Sequence, residues 1–304
     1  MKHVAPLRYD VIFKKAFCDP EIFTAFVRDT VGVQIEINKV ETEKSFKPSI
    51  GRVASRFDLF AEDLKNRVIV DIQHVRYPDH YDAFLYYHCA AILEQIAKAQ
   101  NYRPKLAVYS IIVLTSGDKH QTDIAMIDFD PKTREGKGLG EIPHKVIYLS
   151  PKYINEETPA ALREWLRAIN DTLDEIVEED EYANPLVRRI FDLIEQDAVS
   201  PEERARMFEE FNQEQVKRDA FGEGKAEGKA EGKAEGKAEG KAEGKAEGKA
   251  EGKAEGKAEG KAEGKAEGKI EIAHAMLAKG MALSLIAEVT GLSEAEISDL
   301  QNDK

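Results

Sequence analysis

Asp58, Asp71 and Gln73 are the residues of this 304-residue chain whose types and spacing best suit chemistry. They lie on two apolar stretches, Arg56-Phe57-Asp58-Leu59-Phe60 and Val68-Ile69-Val70-Asp71-Ile72-Gln73, separated by Asp63-Leu64-Lys65-Asn66. Such runs around a polar turn read as a β-hairpin. With the turn centred between Leu64 and Lys65, Asp58 falls opposite Asp71, and Arg56 opposite Gln73. Directly opposed side chains lie roughly 4.5–5.5 Å apart at Cβ, where like charges repel. A divalent cation between the carboxylates turns that repulsion into binding. Strand faces alternate, so Arg56, Asp58, Asp71 and Gln73 are expected on a polar face, and Phe57, Leu59, Val70 and Ile72 on a core face. Hard oxygen ligands on rigid strands, beside a group that steadies water or phosphorane charge, are what metal-dependent phosphodiester hydrolysis needs.

The elements that must position this hairpin follow from periodicity. A helix is expected over Asp10–Val31, with a break at Pro20. A strand is expected within 35–47, and a helix over Asp79–Ala99 with His80, Phe84, Tyr87 and Ala91 as one stripe. Leu106–Thr115 is almost wholly apolar and reads as a strand buried on both faces. Ile124–Phe129 and Lys145–Leu149 read as further strands. This order is that of an α/β domain. Residues 159–218 are helical in pattern, with Leu162, Trp165, Leu166, Ile169, Leu173 and Ile176 as an apolar stripe, then a second unit around Leu186, Ile190 and Leu193.

Eleven copies of Gly-Lys-Ala-Glu fill 224–267. Residues four apart are identical, so each i,i+4 charged pair is of like sign. Each glycine also costs about 1 kcal/mol of helix stability against alanine. A marginal helix or a solvated spacer is the expectation. Beyond the repeat, Ser284–Ile297 has a helix, a turn at Gly291, and Ser293 with Glu296 as a capping box, which reads as a helix-turn-helix.

The net charge of -13 is unevenly spread: +2 over 1–152, -11 over 153–222, zero over 223–269 and -4 over 270–304. The hairpin therefore lies in the one segment with a positive balance, where a polyanionic substrate is admissible. The chain has no apolar run long enough for a transmembrane helix and no apolar leader. Cys18 and Cys89 form no metal-ligand pattern. A cytoplasmic protein with no membrane partner and no small-molecule cofactor is expected.

Asp, a hairpin, then Asp-x-Gln resembles the PD-(D/E)xK nuclease core in the variant where glutamine replaces lysine. Tyr9-Asp10-Val11-Ile12-Phe13-Lys14-Lys15-Ala16-Phe17, the two hairpin strands, Tyr86-Tyr87 and the C-terminal Ile286–Ile297 block together resemble the Rpn family of recombination-promoting nucleases, also described as PD-(D/E)xK family transposases. The resemblance implies an α/β restriction-endonuclease-like core with a helical C-terminal extension. It implies Asp58, Asp71 and the Ile72 carbonyl as ligands of Mg²⁺ (or Mn²⁺), with Asp10 as a further candidate. Gln73 would stand in the lysine's place without its charge, and Lys14, Lys15 or Arg56 would compensate at phosphate. The expected domains are 1–152 nuclease-like, 153–222 acidic helical extension, 223–269 repeat spacer and 270–304 helix-turn-helix-like module.

The expected function is Mg²⁺-dependent DNA endonuclease activity in recombination or transposition, by a homo-oligomer. Rival readings are a catalytically weak or inactive DNA-binding or assembly protein that keeps the fold, and a scaffold built on the repeat. Single residues also have plainer readings. Asp10 and Lys14 could be a surface ion pair, Tyr86 and Tyr87 packing residues, and His74 a buried structural histidine. The second helix of the C-terminal module, Glu294–Gln301, lacks the cations that groove readers use, so a protein partner is as well supported there as DNA.

Overall fold

The computed structural model of the protein describes residues 1–46, 55–74, 80–96 and 103–302. Lys47, Asp79 and residues 97–99, at the ends of two expected elements, lie outside them. Two compact units are present, Met1–Ala220 and Phe221–Lys304.

The hairpin forms where the sequence places it. Asp63 Oδ1 accepts from the backbone N–H groups of Lys65 and Asn66, both at 2.7 Å. This aspartate-centred turn folds β3 (Ser55–Glu62) back on β4 (Asn66–Gln73). Leu59 pairs with Val70 and Glu62 with Arg67, the register expected from the turn. Four more strands complete one sheet: β2 (Glu41–Phe46), β5 (Ala107–Leu114), β6 (Ile124–Asp128) and β7 (Lys145–Leu149). The order is β2-β3-β4-β5-β7-β6, with β4, β5 and β7 parallel and the other pairings antiparallel. Parallel strands are covered on both faces, which explains the unbroken apolar run of β5.

Pro20 divides the first helical stretch into α1 (Asp10–Phe17) and α2 (Pro20–Val31), and Asp19 caps the second by accepting from Glu21 and Ile22 N–H. Helices α4 (Ala160–Asp171) and α5 (Pro185–Leu193) join α1 and α2 on one face of the sheet. Trp165 packs edge-on to Phe26 and donates its indole N–H to Asp29 at 2.9 Å. Ile176 leaves the helical stripe and enters a two-stranded ladder, β1 (Lys2–His3) with β8 (Ile176–Val177). Helix α3 (His80–Ile96) covers the other face.

The expectation of a polar face opposite a core face does not hold. Leu59, Val70 and Ile72 enter the core beneath α1 and α2, but Phe57, Phe60 and Ile69 pack with Phe46 and Ala91 on the α3 side. Phe57 and Leu59 thus part company across Asp58, so regular strand alternation fails at that residue. Tyr87 packs edge-on against Phe57 and Phe84, in line with a packing role, while Tyr86 stays partly exposed. His74 is half-buried outside the apolar core, its Nδ1 2.9 Å from Thr115 Oγ1.

A different histidine is wholly buried. His88 stacks on Phe129, its Nδ1 lies 2.9 Å from Ser110 Oγ, and its Nε2 has no hydrogen-bond partner among the described residues. Burial, with a smaller contribution from His144, pulls the ring pKa from 6.5 down to about 3. The ring is neutral in the fold, whereas the unfolded ring gains a proton below about pH 6.5. Its stability contribution is therefore complete above that pH and is lost as pH falls towards 3. Between pH 6.5 and 4.5 the loss is about 2–3 kcal/mol. His88→Phe should show a correspondingly shallower decline in denaturant-unfolding free energy over that interval. An equal decline in wild type and variant would refute this assignment.

In the second unit the repeat is helical throughout, within α6 (Pro201–Ala278), and its glycines have no neighbour within 4 Å of an added Cβ. Within the repeat, the propensities of Lys, Ala and Glu are what favour the helix against the glycine cost. Helices α7 (Leu283–Thr290) and α8 (Glu294–Asn302) close the chain around Ala273, Ile286 and Ile297. Gly291 takes φ 66°, and Ser293 and Glu296 form the expected capping box. Among the described residues no helix is long and apolar enough to cross a membrane.

Candidate active site

The ladder between β3 and β4 is regular as far as Leu59 and Val70. One step further, Asp58 and Asp71 face each other and side chains take over from the backbone. The Asp58 N–H donates to Asp71 Oδ1 at 3.0 Å, and the Ile72 N–H donates to Asp58 Oδ2 at 3.1 Å. Each carboxylate is anchored to the opposite strand through one oxygen. Asp58 Oδ1 is turned to Lys14 Nζ, 3.6 Å away.

On its other side β3 pairs with β2 through Thr42–Leu59 and Lys44–Phe57, which sets Glu43 beside Asp58. Glu43 has φ 57°, a left-handed conformation that costs a side-chain-bearing residue roughly 1–2 kcal/mol. Glu43, Asp58 and Asp71 thus form an acidic row across three strands. Backbone strain of this kind concentrates at functional sites.

Helix α1 supplies the facing groups. Asp10 and Lys14 are one turn apart, and Lys14 Nζ lies 2.6 Å from Asp10 Oδ2. The same ammonium pairs with Glu43 and is the point charge where Asp10, Glu43 and Asp58 meet. Burial opposes its charge, but Asp58, Asp10 and Glu43 prevail and raise its pKa above the ordinary lysine value. Glu43 is likewise held below the ordinary carboxylate value by Lys14 and Arg56 against the effect of burial. Asp71 titrates well above the ordinary range because it is buried and because Asp58 repels it. Asp58 is raised by burial and then by Asp10, with Lys14 and the Ile72 N–H opposing.

Gln73 ends β4, two residues beyond Asp71. Its carbonyl accepts from Thr115 N–H at 3.0 Å and Thr115 Oγ1 at 3.2 Å, so its backbone is fixed while its side chain is half-buried. Arg56 is exposed and pairs with Glu43. Lys15 is not brought to the carboxylates: it bonds the Ala198 carbonyl at 2.6 Å and Glu203 at 2.8 Å. Two acids absent from the sequence reading are present. Glu43 is one, and Glu210 of α6 is the other, both of its oxygens 3.0 Å from the Asp10 N–H. Burial pushes Glu210 up to about 7, with the Asp10 N–H opposing and Asp10, Glu214 and Asp58 adding to the rise.

Lys14 thus pairs with three carboxylates, Asp10, Glu43 and Asp58, and the exposed Arg56 with Glu43. Among the described residues no three His, Cys, Asp or Glu side chains already stand as a metal cage. Asp58 and Asp71 each spend an oxygen on a backbone N–H, and Lys14 supplies positive charge in this arrangement. Asp10 Oδ1, however, is buried with no hydrogen-bond partner among the described residues. An orphaned carboxylate oxygen beside an excess of negative charge, in an all-oxygen donor set, fits a hard divalent cation such as Mg²⁺ or Mn²⁺.

Comparison with known proteins gives two family matches. Residues 7–221 match the model of the PD-(D/E)XK nuclease family transposase, and residues 266–302 match that of the Rpn/YhgA-like nuclease family, C-terminal HTH domain. No curated protein and no solved structure matches the chain. The first match spans the α/β sheet, α1, the Asp58–Asp71 brace and the start of α6, and on its extent the chain belongs to the PD-(D/E)XK nuclease family transposases, of the Rpn/YhgA-like kind.

Proposed function

We propose that the protein is a divalent-metal-dependent DNA endonuclease acting in recombination or transposition, and that Asp58 and Asp71 form its metal centre. The crossed brace carries this reading: two opposed carboxylates are fixed by each other's strands, with Asp10 and Lys14 against them. Asp58, Asp71 and the Ile72 carbonyl, with Asp10 beside them, are the groups that would hold Mg²⁺ or Mn²⁺. Such an ion acidifies water and neutralises phosphate charge.

The chain's own groups do the rest. The Gln73 amide orients water or donates to a phosphate oxygen but brings no charge. Lys14 supplies the missing cation from α1, where charge developing on the phosphorane requires it. Arg56, at the exposed edge, meets the DNA backbone. Water adds to phosphorus, the bond to the 3′ oxygen breaks, and that oxygen leaves with a proton. The groups that would hold the ion lie within residues 1–152, and a homo-oligomer of such units suits paired strand breaks.

The uncharged Gln73 favours one rival, a DNA-binding protein of this fold without useful turnover. A plasmid-nicking assay separates the two. Wild type should nick with Mg²⁺ and not with Ca²⁺, and Asp71→Ala should nick with neither. Equal behaviour of the two proteins in Mg²⁺ would leave the rival standing.

A further inference from the structure

Helix α1 carries Asp10 and Lys14 but lacks a cap of its own. Its N-cap residue is Tyr9, which makes no side-chain capping bond. The first N–H groups of a helix need an acceptor from elsewhere when they are withdrawn from water. Here the acceptor comes from 200 residues away, where both Glu210 oxygens take the Asp10 N–H at 3.0 Å.

This bond is the middle rung of three. Lys15 bonds Glu203 at 2.8 Å, Asp10 bonds Glu210, and Arg8 bonds Glu214 at 3.3 Å. Glu203, Glu210 and Glu214 are seven and four residues apart, so they share one face of α6. That face runs antiparallel to the start of α1. The outer rungs bind side chains, those of Lys15 and Arg8. The middle rung grips the backbone of Asp10, whose Oδ1 is buried without a hydrogen-bond partner among the described residues.

Resting on the metal-centre reading, we infer that Glu210 is a positioning residue, which caps α1 from α6 and thereby sets Asp10 and Lys14 against the Glu43–Asp58–Asp71 row. The start of α6 is then part of the working site and not a cover over it. Because the role is hydrogen-bond acceptance, an amide oxygen can perform it and a methyl group cannot.

The test is Mn²⁺ binding to the full chain, followed by the electron paramagnetic resonance of free Mn²⁺ well below the melting temperature. Wild type and Glu210→Gln should agree within about threefold, and Glu210→Ala should bind about tenfold more weakly, the range of an outer-shell loss. Thermal melts confirm that each protein is folded at the temperature used, so instability alone does not mimic the effect. If wild type binds Mn²⁺ and Glu210→Ala binds it equally well, or more tightly, the inference falls and the metal centre stands. Equal weakening in Gln and Ala makes the charge decisive and also overturns it. If wild type takes up no Mn²⁺, the metal-centre reading falls and this inference with it.

Discussion

Lys14→Met should lose at least about a hundredfold in Mg²⁺-dependent nicking, the scale of removing one preorganised stabiliser of transition-state charge. Lys14 is nine-tenths buried, and its ammonium is shared by Asp10, Glu43 and Asp58. Methionine fills much of the same volume but leaves those carboxylates uncompensated. Breaking a fully buried ion pair costs roughly 3–5 kcal/mol. Asp10 and Glu43 are more than a third exposed, so solvent screens part of the loss and about 2 kcal/mol is expected. Mg²⁺ should then raise the melting temperature of the variant more than that of wild type, because the ion neutralises carboxylates that the lysine no longer does. A lysine with only a surface role would change neither quantity.

Asp71→Asn should abolish nicking and yet stabilise the metal-free protein at pH 8. Asp71 is buried and repelled by Asp58, and asparagine keeps an oxygen for the Asp58 N–H while removing the charge. Relief of one buried like-charge contact should raise the melting temperature by about 5 °C, which for a unit of this size corresponds to roughly 2 kcal/mol. Sites kept for function characteristically cost stability in this way. If Asp71→Asn melts lower than wild type without metal, the aspartate is a structural brace and its charge serves the fold. The crossed hydrogen bonds do not separate these cases, because asparagine retains both: its Oδ1 accepts from the Asp58 N–H, and Asp58 Oδ2 still accepts from the Ile72 N–H.

The hairpin was legible because its determinants are local. Asp63 and Asn66 make the turn, the turn sets the register, and the register opposes Asp58 to Asp71. The start of α1 was legible for the same reason, since Asp10 and Lys14 share a face by spacing alone. Glu43 was not, because its place beside Asp58 depends on how β2 pairs with β3 across a long connection. Glu210 had no local signal at all: it is one of many glutamates on an acidic helix, and only tertiary packing singles it out. The two-sided core was not legible because strand alternation fails at Asp58, where Phe57 turns to the α3 side. Lys15 looked equivalent to Lys14, but one residue along α1 is about 100° of rotation, enough to send it to Glu203.

The Asp58–Asp71 brace is the proposed metal centre. Crystals of the full chain grown with Mn²⁺ test it directly through anomalous scattering. A peak within about 2.2 Å of carboxylate oxygens of both Asp58 and Asp71 is the predicted result. Crystals holding Mn²⁺ elsewhere, with the two aspartates still bonded only to the Asp58 and Ile72 N–H groups and Lys14 still paired to Asp10 and Glu43, would contradict it.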